Sequence, residues 1–236
     1  MTEFILPAYY AVVKKADIFE GQVHVVHTGK DFGSMNPRNN PNLANRFGKL
    51  LSITGQERFL VPRFDFETKV TPIDVDIKFA VERLPGFLLT PETSDGVIVS
   101  LRGETHAKIA VLMITADCAI GKILAPDGSL AVLHCMIDTV DHRDGSSIVT
   151  NAIKYFRSRG ISPSELRFQI GEAARACCLD FKARSSQLIH KYGSSDIPLI
   201  AARQAEQMGI KDIGVEDLCT SCAGQCETWF SNLRQN

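Results

Sequence analysis

The chain has 236 residues, of which 44% are hydrophobic and 22% charged, which is the composition of an ordinary soluble globular protein. Its 26 Lys and Arg residues are balanced by 27 Asp and Glu residues, giving a formal net charge of −1. This balance provides no electrostatic basis for nucleic acid or an anionic membrane as a partner, so we expect a small-molecule ligand or a protein contact.

Seven cysteines occur in a chain whose first residues do not resemble an export signal, because Glu3 precedes a short apolar run that Pro7 interrupts. No apolar run in the sequence approaches the roughly 20 residues that a membrane span needs. We therefore expect a cytoplasmic protein with reduced thiols, for which metal binding and thiolate chemistry are both open.

The first half of the chain is predicted to form strands around one helix. β-prone runs at 9–13 and 22–27 predict an early strand pair. Asn42 precedes apolar residues spaced three and four apart, which predicts a capped helix that Gly55 ends. Two further segments are predicted to be strands from their β-prone residues: 59–73 and 95–100.

Two apolar runs in the middle of the chain each lead to a residue that can bind a metal or act in catalysis. The run 109–114 leads to Cys118, and the run 130–133 leads to His134. The Pro-Asp-Gly sequence at 126–128 favours a tight turn, so we expect two buried strands that carry the thiol and the imidazole out of one core. The same pattern would also arise without a functional site, if the cysteine packs as a hydrophobic residue and the histidine is only hydrogen-bonded.

The second half of the chain is predicted to alternate helices and strands. Ser146 or Ser147 can cap a helix that ends at Gly160, and Asp196 can cap another that ends at Gly209. The other predicted elements are a strand at 166–170, a helix at 184–192 and a strand at 210–215. Because helices and strands interleave without a repeat or a linker, we expect a single α/β domain.

Five further cysteines fall into two groups. Cys219, Cys222 and Cys226 have a C-x2-C-x3-C spacing that suits zinc or an iron–sulfur cluster, but no second C-x-x-C follows, and a group of reduced thiols explains it equally. Cys177 and Cys178 are adjacent, and we expect them to pack in the core because neighbouring side chains do not easily chelate one ion. The motifs G-x-G-x-x-G, P-loop, G-x-S-x-G and H-E-x-x-H do not occur, which removes the commonest nucleotide, hydrolase and metalloprotease interpretations.

The sequence T-A-D-C at 115–118, followed by His134, resembles the YfiH-like, laccase-domain family, also called the multicopper polyphenol oxidase family. The family's pattern places these residues at the ends of successive strands. Further segments similar to the family occur in the same order along roughly residues 30–234: Asn36 to Arg46, Ile170 to Cys178, Cys219-Thr220 and Phe230-Ser231. The chain is identified from them as a divergent member of the family.

The resemblance implies one domain over residues 1–236, built as a layered α/β/β/α-type sandwich of mixed sheets. It also implies zinc held by two histidines and one cysteine, and copper is less suited because one three-ligand site does not resemble a multicopper centre. The implied activities are phosphorolysis of adenosine, inosine and methylthioadenosine, and deamination of adenosine. A nucleoside and phosphate are then the small-molecule partners, and Arg46 and Arg63 are the expected substrate-binding residues.

Departures from the family pattern affect the implied site. No histidine stands in the segment that matches the family's Gln-Val-His-Gly motif, where Asp65, or Phe66 after a one-residue shift, takes its place. Residues 135–139 are Cys-Met-Ile-Asp-Thr where the family has Ala-Gly-Trp-Arg-Gly, which removes two glycines and a cation that could hold phosphate. Glu172 stands in place of a proline, and Leu233 in place of an arginine.

Three hypotheses about function follow. In the first, the protein is a zinc enzyme with Cys118, His134 and Asp65 as metal ligands and with Cys118 and His134 as catalytic residues. In the second, it is a divergent, non-catalytic member of the family that acts by binding, which the departures motivate. In the third, it is a cysteine hydrolase in which Cys118 is the nucleophile and His134 the base.

Overall fold

The computed structural model of the chain describes residues 12–18, 23–28, 42–65, 67–73, 81–84, 86–100, 109–115, 117–179 and 182–222. The strands are β1 (Val12–Ile18), β2 (Val23–Thr28), β3 (Arg58–Arg63), β4 (Val70–Ile73), β5 (Val81–Leu84), β6 (Phe87–Thr93), β7 (Gly96–Ser100), β8 (Ile109–Val111), β9 (Ala119–Leu124), β10 (Ser129–Cys135), β11 (Arg167–Ile170) and β12 (Asp212–Val215). The α-helices are α1 (Leu43–Thr54), α2 (Ile137–Val140), α3 (Ile148–Ser158), α4 (Lys182–Tyr192) and α5 (Ile197–Gln207). Within these ranges, none of the helices has both the length and the apolar character needed to cross a lipid bilayer.

A six-stranded sheet with the order β12-β11-β9-β10-β7-β4 forms the centre of the fold. Its middle strands are apolar on both faces, and alternation along β10 separates the two sides. Ala131 and Leu133 belong to the buried cluster that includes α3 and α5. Leu130 and Val132 belong to a second cluster on the opposite face. The sheet is therefore covered on both sides.

A four-stranded sheet with the order β5-β6-β3-β8 covers that opposite face. Leu60 and Leu88 of this sheet pack in the cluster shared with the six-stranded sheet. On the outer face, the Phe47 ring of α1 meets the rings of Phe59 and Phe87, with centroids 5.5 and 4.9 Å apart. The layers are thus α1, the four-stranded sheet, the six-stranded sheet, and α3 with α5, which confirms the predicted α/β/β/α-type sandwich of mixed sheets.

Two strand predictions were wrong because residue periodicity does not show which sheet a segment joins. The segment 59–73 is divided between β3 of the four-stranded sheet and β4 of the six-stranded sheet, and the link between them crosses from one layer to the other. The run 109–114 supplies β8, which pairs with β3 and not with β10. β10 pairs with β9 and β7, and β9 starts after Cys118, so this cysteine lies just before a strand and does not end one.

The predicted helix ends agree with the structure to within two residues, but the Asn42 side chain makes no capping hydrogen bond at the start of α1. The early strand pair is present, although its first strand, β1, shares only residues 12 and 13 with the predicted run 9–13, of which 9–11 lie outside the described residues. β1 and β2 pair antiparallel as a separate two-stranded sheet. The Ser147 hydroxyl accepts a hydrogen bond from the Val149 N–H at 3.3 Å at the start of α3. The Asp196 carboxylate accepts one from the Leu199 N–H at 3.2 Å at the start of α5. Side-chain caps of this kind satisfy backbone donors that have no partner within the helix.

Replacing Phe156 with alanine should strongly destabilise the protein. The ring is fully buried in the cluster between α3, α5 and the six-stranded sheet, and a Phe-to-Ala change in such a core costs about 3 to 5 kcal/mol. The measurement is the free energy of unfolding from urea denaturation. Ile189→Ala on α4 is the control, because that side chain is 53% exposed. Equal losses in the two variants would contradict the packing described here.

Candidate functional site

The pairing of β9 with β10 places Cys118 and His134 on the same face of the six-stranded sheet. His134 lies opposite Ile120, and Cys118 precedes Ile120 by two residues. Side chains two apart in an extended chain share a face, so the position of Cys118 just before β9 directs its thiol toward the face that carries His134. Ile120 packs in the cluster between the two sheets, which shows that this shared face points toward the four-stranded sheet.

The imidazole of His134 is held by a carboxylate that is inaccessible to solvent. Nδ1 of His134 lies 3.1 Å from Oδ1 of Asp95, and the two side chains are 5% and 0% exposed. The other oxygen of Asp95 accepts hydrogen bonds from the N–H groups of Asp65 and Glu67, at 3.3 and 3.0 Å. The Phe64 ring lies against the imidazole with centroids 4.3 Å apart. A carboxylate on one ring nitrogen is the usual support of a metal-binding histidine, and coordination here would use Nε2.

Asp65 lies beside this arrangement and retains a negative charge. Burial acts to raise the pKa of Asp65, but hydrogen bonds involving the side chains of Thr93 and Asp95 and backbone N–H groups outweigh it and lower the pKa. Its Oδ1 atom is buried and has no hydrogen-bond partner among the described residues. A buried carboxylate oxygen without a partner is a group that a bound cation would satisfy.

The surroundings of Cys118 disfavour the thiolate form of its side chain. Burial, together with the negative charges of Asp117 and Asp95, raises the pKa of Cys118 to about 12. A thiol of this kind is a weak nucleophile at neutral pH, whereas a bound divalent cation would favour its thiolate form. The surroundings of Cys118 therefore suit a cation better than an anion.

The two predicted substrate-binding arginines lie in different parts of the fold. Arg63 ends β3, two residues before Asp65, and its N–H donates to the Thr90 hydroxyl at 3.1 Å. Arg46 lies in α1, the layer on the outer face of the four-stranded sheet. Arg63 is thus close to the carboxylate group in the chain, while Arg46 belongs to the outer layer.

A second cluster of metal-binding residues lies at the edge of the six-stranded sheet. Among the described residues, one group of three or more His, Cys, Asp or Glu side chains brings all its ligand atoms within 4.8 Å of one another, namely Cys177, Cys178, Cys219 and Cys222. We call it the four-cysteine cluster. It does not contain Cys118, His134 or Asp65, so the predicted three-ligand set stays a prediction. Cys226 lies outside the described residues.

The expectation that Cys177 and Cys178 pack in the core was wrong. Cys177 is exposed and Cys178 is only partly buried. Their chain turns tightly, with the Cys178 N–H donating to the Arg175 carbonyl at 2.9 Å. This turn brings both thiols to Cys222, at Sγ–Sγ distances of 3.4 and 3.6 Å. The signal in the sequence is the combination of C-C at 177–178 with C-x-x-C at 219–222, because neither pair alone indicates a four-ligand site.

The pKa of the Cys219 thiol is lowered by its surroundings in the cluster. Burial acts to raise the pKa of Cys219, but hydrogen bonds from the N–H groups of Arg175 and Ser221 and from the thiols of Cys222 and Cys177 lower it to about 7. The Arg175 N–H lies 3.4 Å from the sulfur. The backbone around Cys219 is therefore arranged to support negative charge on its sulfur.

The two groups of residues are connected through Asp117. Its carboxylate accepts hydrogen bonds from the hydroxyls of Thr220 and Ser221, at 3.2 and 2.8 Å. Its carbonyl accepts a hydrogen bond from the Ala174 N–H at 2.9 Å. The loops that carry the four-cysteine cluster therefore also hold the residue next to Cys118.

The solved structures that share this architecture include the following three. YfiH of Bacillus licheniformis, titled a hypothetical protein, superposes with a TM-score of 0.64 at 17% identity, covering 81% of this chain and 75% of that one. The fold is that of YfiH. YlmD of Geobacillus stearothermophilus gives 0.65 at 18% identity, covering 81% and 74%, and Neisseria meningitidis protein NMB0706, described as DUF152, gives 0.63 at 14%, covering 85% and 80%. No protein-family model and no curated protein matches the sequence.

The YfiH fold confirms the predicted fold class. The agreement covers most of each chain, but sequence identities of 14 to 18% establish the fold alone. Activity must therefore be argued from the side chains that this protein places on that fold.

Replacing Asp95 with alanine should lower the free energy of unfolding by about 3 kcal/mol, because two backbone N–H groups and the His134 imidazole lose a buried acceptor. Urea denaturation measures the loss. Asp212→Ala is the matched control, since that carboxylate makes an exposed ion pair with Arg167 and should change stability by less than about 0.5 kcal/mol. If both variants are equally stable, Asp95 does not have the structural role described.

Proposed function

We propose that the protein is a zinc-dependent enzyme of the YfiH-like, laccase-domain type that acts on purine nucleosides. The proposed reactions are deamination of adenosine and phosphorolysis of adenosine, inosine and methylthioadenosine. The observation that supports this best is the position of Cys118 and His134, which match the family pattern and share one face of a YfiH-type sheet. The buried Asp95 that orients His134 adds support, because it resembles the second shell of a metal site.

The proposed ligands are the Cys118 thiolate, Nε2 of His134 and the Asp65 carboxylate. A sulfur, a nitrogen and an oxygen are all suitable zinc ligands, and three protein ligands leave one position for water or substrate. A zinc ion held by these residues would supply Lewis-acid activation of a bound water. The protein's part is to fix the ligands: Asp95 holds the imidazole, and the Asp65 N–H donates to the same carboxylate.

The charges around the site favour water over phosphate as the nucleophile. Asp65, Asp95 and Asp117 lie around Cys118 and His134, and carboxylates in a partly buried site disfavour a phosphate dianion. The family's arginine that follows the histidine matching His134 is absent here, since Asp138 stands in its place. We therefore propose deamination as the main reaction, with Arg63 as the side chain that contacts the ribose or phosphate.

The second candidate is a non-catalytic protein that binds a nucleoside on the same scaffold. It is favoured by the missing first histidine and by the absence of Cys118, His134 and Asp65 from the group of side chains close enough to share an ion. The cysteine hydrolase is disfavoured by the raised pKa of Cys118, since almost no thiolate is present at neutral pH.

Zinc-loaded protein should convert adenosine to inosine in the absence of phosphate, and release of adenine should require phosphate. Cys118→Ala and His134→Gln should each lower kcat/KM at least about 100-fold, because each removes a proposed metal ligand. High-pressure liquid chromatography of the nucleosides and bases measures both products. His190→Gln is the matched control, because His190 is exposed on α4, and it should keep full activity.

Two results would decide against this function. Turnover that survives His134→Gln would place the reaction elsewhere. A zinc-loaded protein that binds adenosine in a calorimeter, but releases neither inosine nor adenine, would establish the non-catalytic candidate instead.

A further inference from the structure

We propose that Cys177, Cys178, Cys219 and Cys222 together bind one zinc ion in a closed tetrahedral site that is separate from the Cys118–His134 site. Its role is structural: it ties the loop after β11 to the loop after β12. The proposal does not depend on the enzymatic function proposed above, because it rests on different residues and makes no use of an open coordination position.

The sulfur positions match a single ion. Four thiolates at a zinc–sulfur distance of about 2.3 Å in a tetrahedron lie about 3.8 Å from one another. Cys222 lies 3.4 Å from Cys177 and 3.6 Å from Cys178, and the four sulfurs all lie within 4.8 Å of one another. Iron–sulfur clusters distribute their cysteines over several iron atoms and hold them further apart. The spacing therefore indicates one metal atom.

The topology explains how residues forty positions apart meet. β11 and β12 are neighbouring parallel strands, so the loops that follow them leave the sheet at the same edge. The loops are joined by backbone hydrogen bonds, from the Thr220 N–H to the Ala173 carbonyl at 3.0 Å and from the Ala173 N–H to the Leu218 carbonyl at 3.4 Å. The backbone of the site is thus assembled by the sheet itself.

The surroundings of the cluster support bound thiolates. The Arg175 N–H donates to Cys219 Sγ, and N–H···S hydrogen bonds of this kind are typical second-shell contacts of metal-bound cysteines. The Arg175 guanidinium is fixed by the Asp196 carboxylate and the Glu216 carbonyl, each at 2.7 Å. The residue that supplies the N–H is therefore held on both sides.

Core packing and a disulfide both explain the cluster less well than a metal. Cys177 is exposed, and Cys178 and Cys222 are only partly buried, so the thiols do not fill a core. Cys222 is nearly equidistant from Cys177 and Cys178, whereas a disulfide would select one partner and leave two thiols without a role. Zinc would engage all four sulfurs and release their remaining protons.

Full-length protein purified under reducing conditions should contain one zinc per chain that depends on the four-cysteine cluster. Plasma mass spectrometry should show that Cys222→Ser and Cys219→Ser each contain one zinc less than the wild-type protein. The Cys118→Ser variant should retain the cluster zinc, so a failure of the proposed enzymatic site does not affect this result.

Cobalt(II) added to metal-free Cys118→Ser protein provides a readout that needs no change within the cluster. Binding of one equivalent should give the intense visible bands of a tetrahedral thiolate complex and sulfur-to-cobalt charge transfer. Three results would overturn the proposal: the absence of these bands in folded protein, iron in place of zinc in the purified chain, or a disulfide from Cys222 to Cys177 or Cys178 in peptides mapped without reductant.

Discussion

The buried carboxylate of Asp95 joins the segments from which the candidate site is built. It precedes β7, accepts two N–H groups from the link between β3 and β4, and contacts the imidazole of β10. Its own carbonyl accepts the His134 N–H at 2.8 Å. Moving such a group out of water is costly unless its hydrogen bonds are replaced, so these contacts must form together. The same carboxylate therefore connects the link between β3 and β4 to β10, and it fixes the orientation of the His134 imidazole.

Local features of the structure were predictable from the sequence, whereas contacts between layers were not. Ser147, Asp196 and the glycines that end α1 and α3 lie where capping chemistry predicts them, because these signals act over a few residues. The sequence does not indicate that 59–73 is divided between two sheets. Alternation of apolar and polar residues in a strand shows which residues are buried, but not which sheet covers them. The contact of Asp95 with His134 follows from the pairing of β7 with β10, in which Leu133 lies opposite Gly96, and it has no signal of its own in the chain.

The four-cysteine cluster is a second case in which the sequence shows local spacings but not the contact between distant segments. Each half of the cluster is visible as a short spacing in the sequence, C-C at 177–178 and C-x-x-C at 219–222. What joins them is the parallel pairing of β11 with β12, which brings together the ends of strands separated by more than forty residues. Adjacent cysteines chelate poorly on an extended chain, and they reach one partner here because the Arg175–Cys178 turn folds them to one side.

The two sites differ in the property that separates structural from catalytic metal centres. In the four-cysteine cluster, the four sulfurs lie within 4.8 Å of one another, and an ion held by all four would have no coordination position left for a substrate. At the Cys118–His134 site, the proposed ligands are one sulfur, one nitrogen and one carboxylate oxygen, with further carboxylates nearby. Three protein ligands would leave one coordination position open. Asp117 links the two, because hydroxyls beside Cys219 and Cys222 hold its carboxylate while its neighbour Cys118 carries the thiol. The start of β9 is thereby hydrogen-bonded to both cysteine loops, so the two groups of residues share one set of backbone and side-chain contacts.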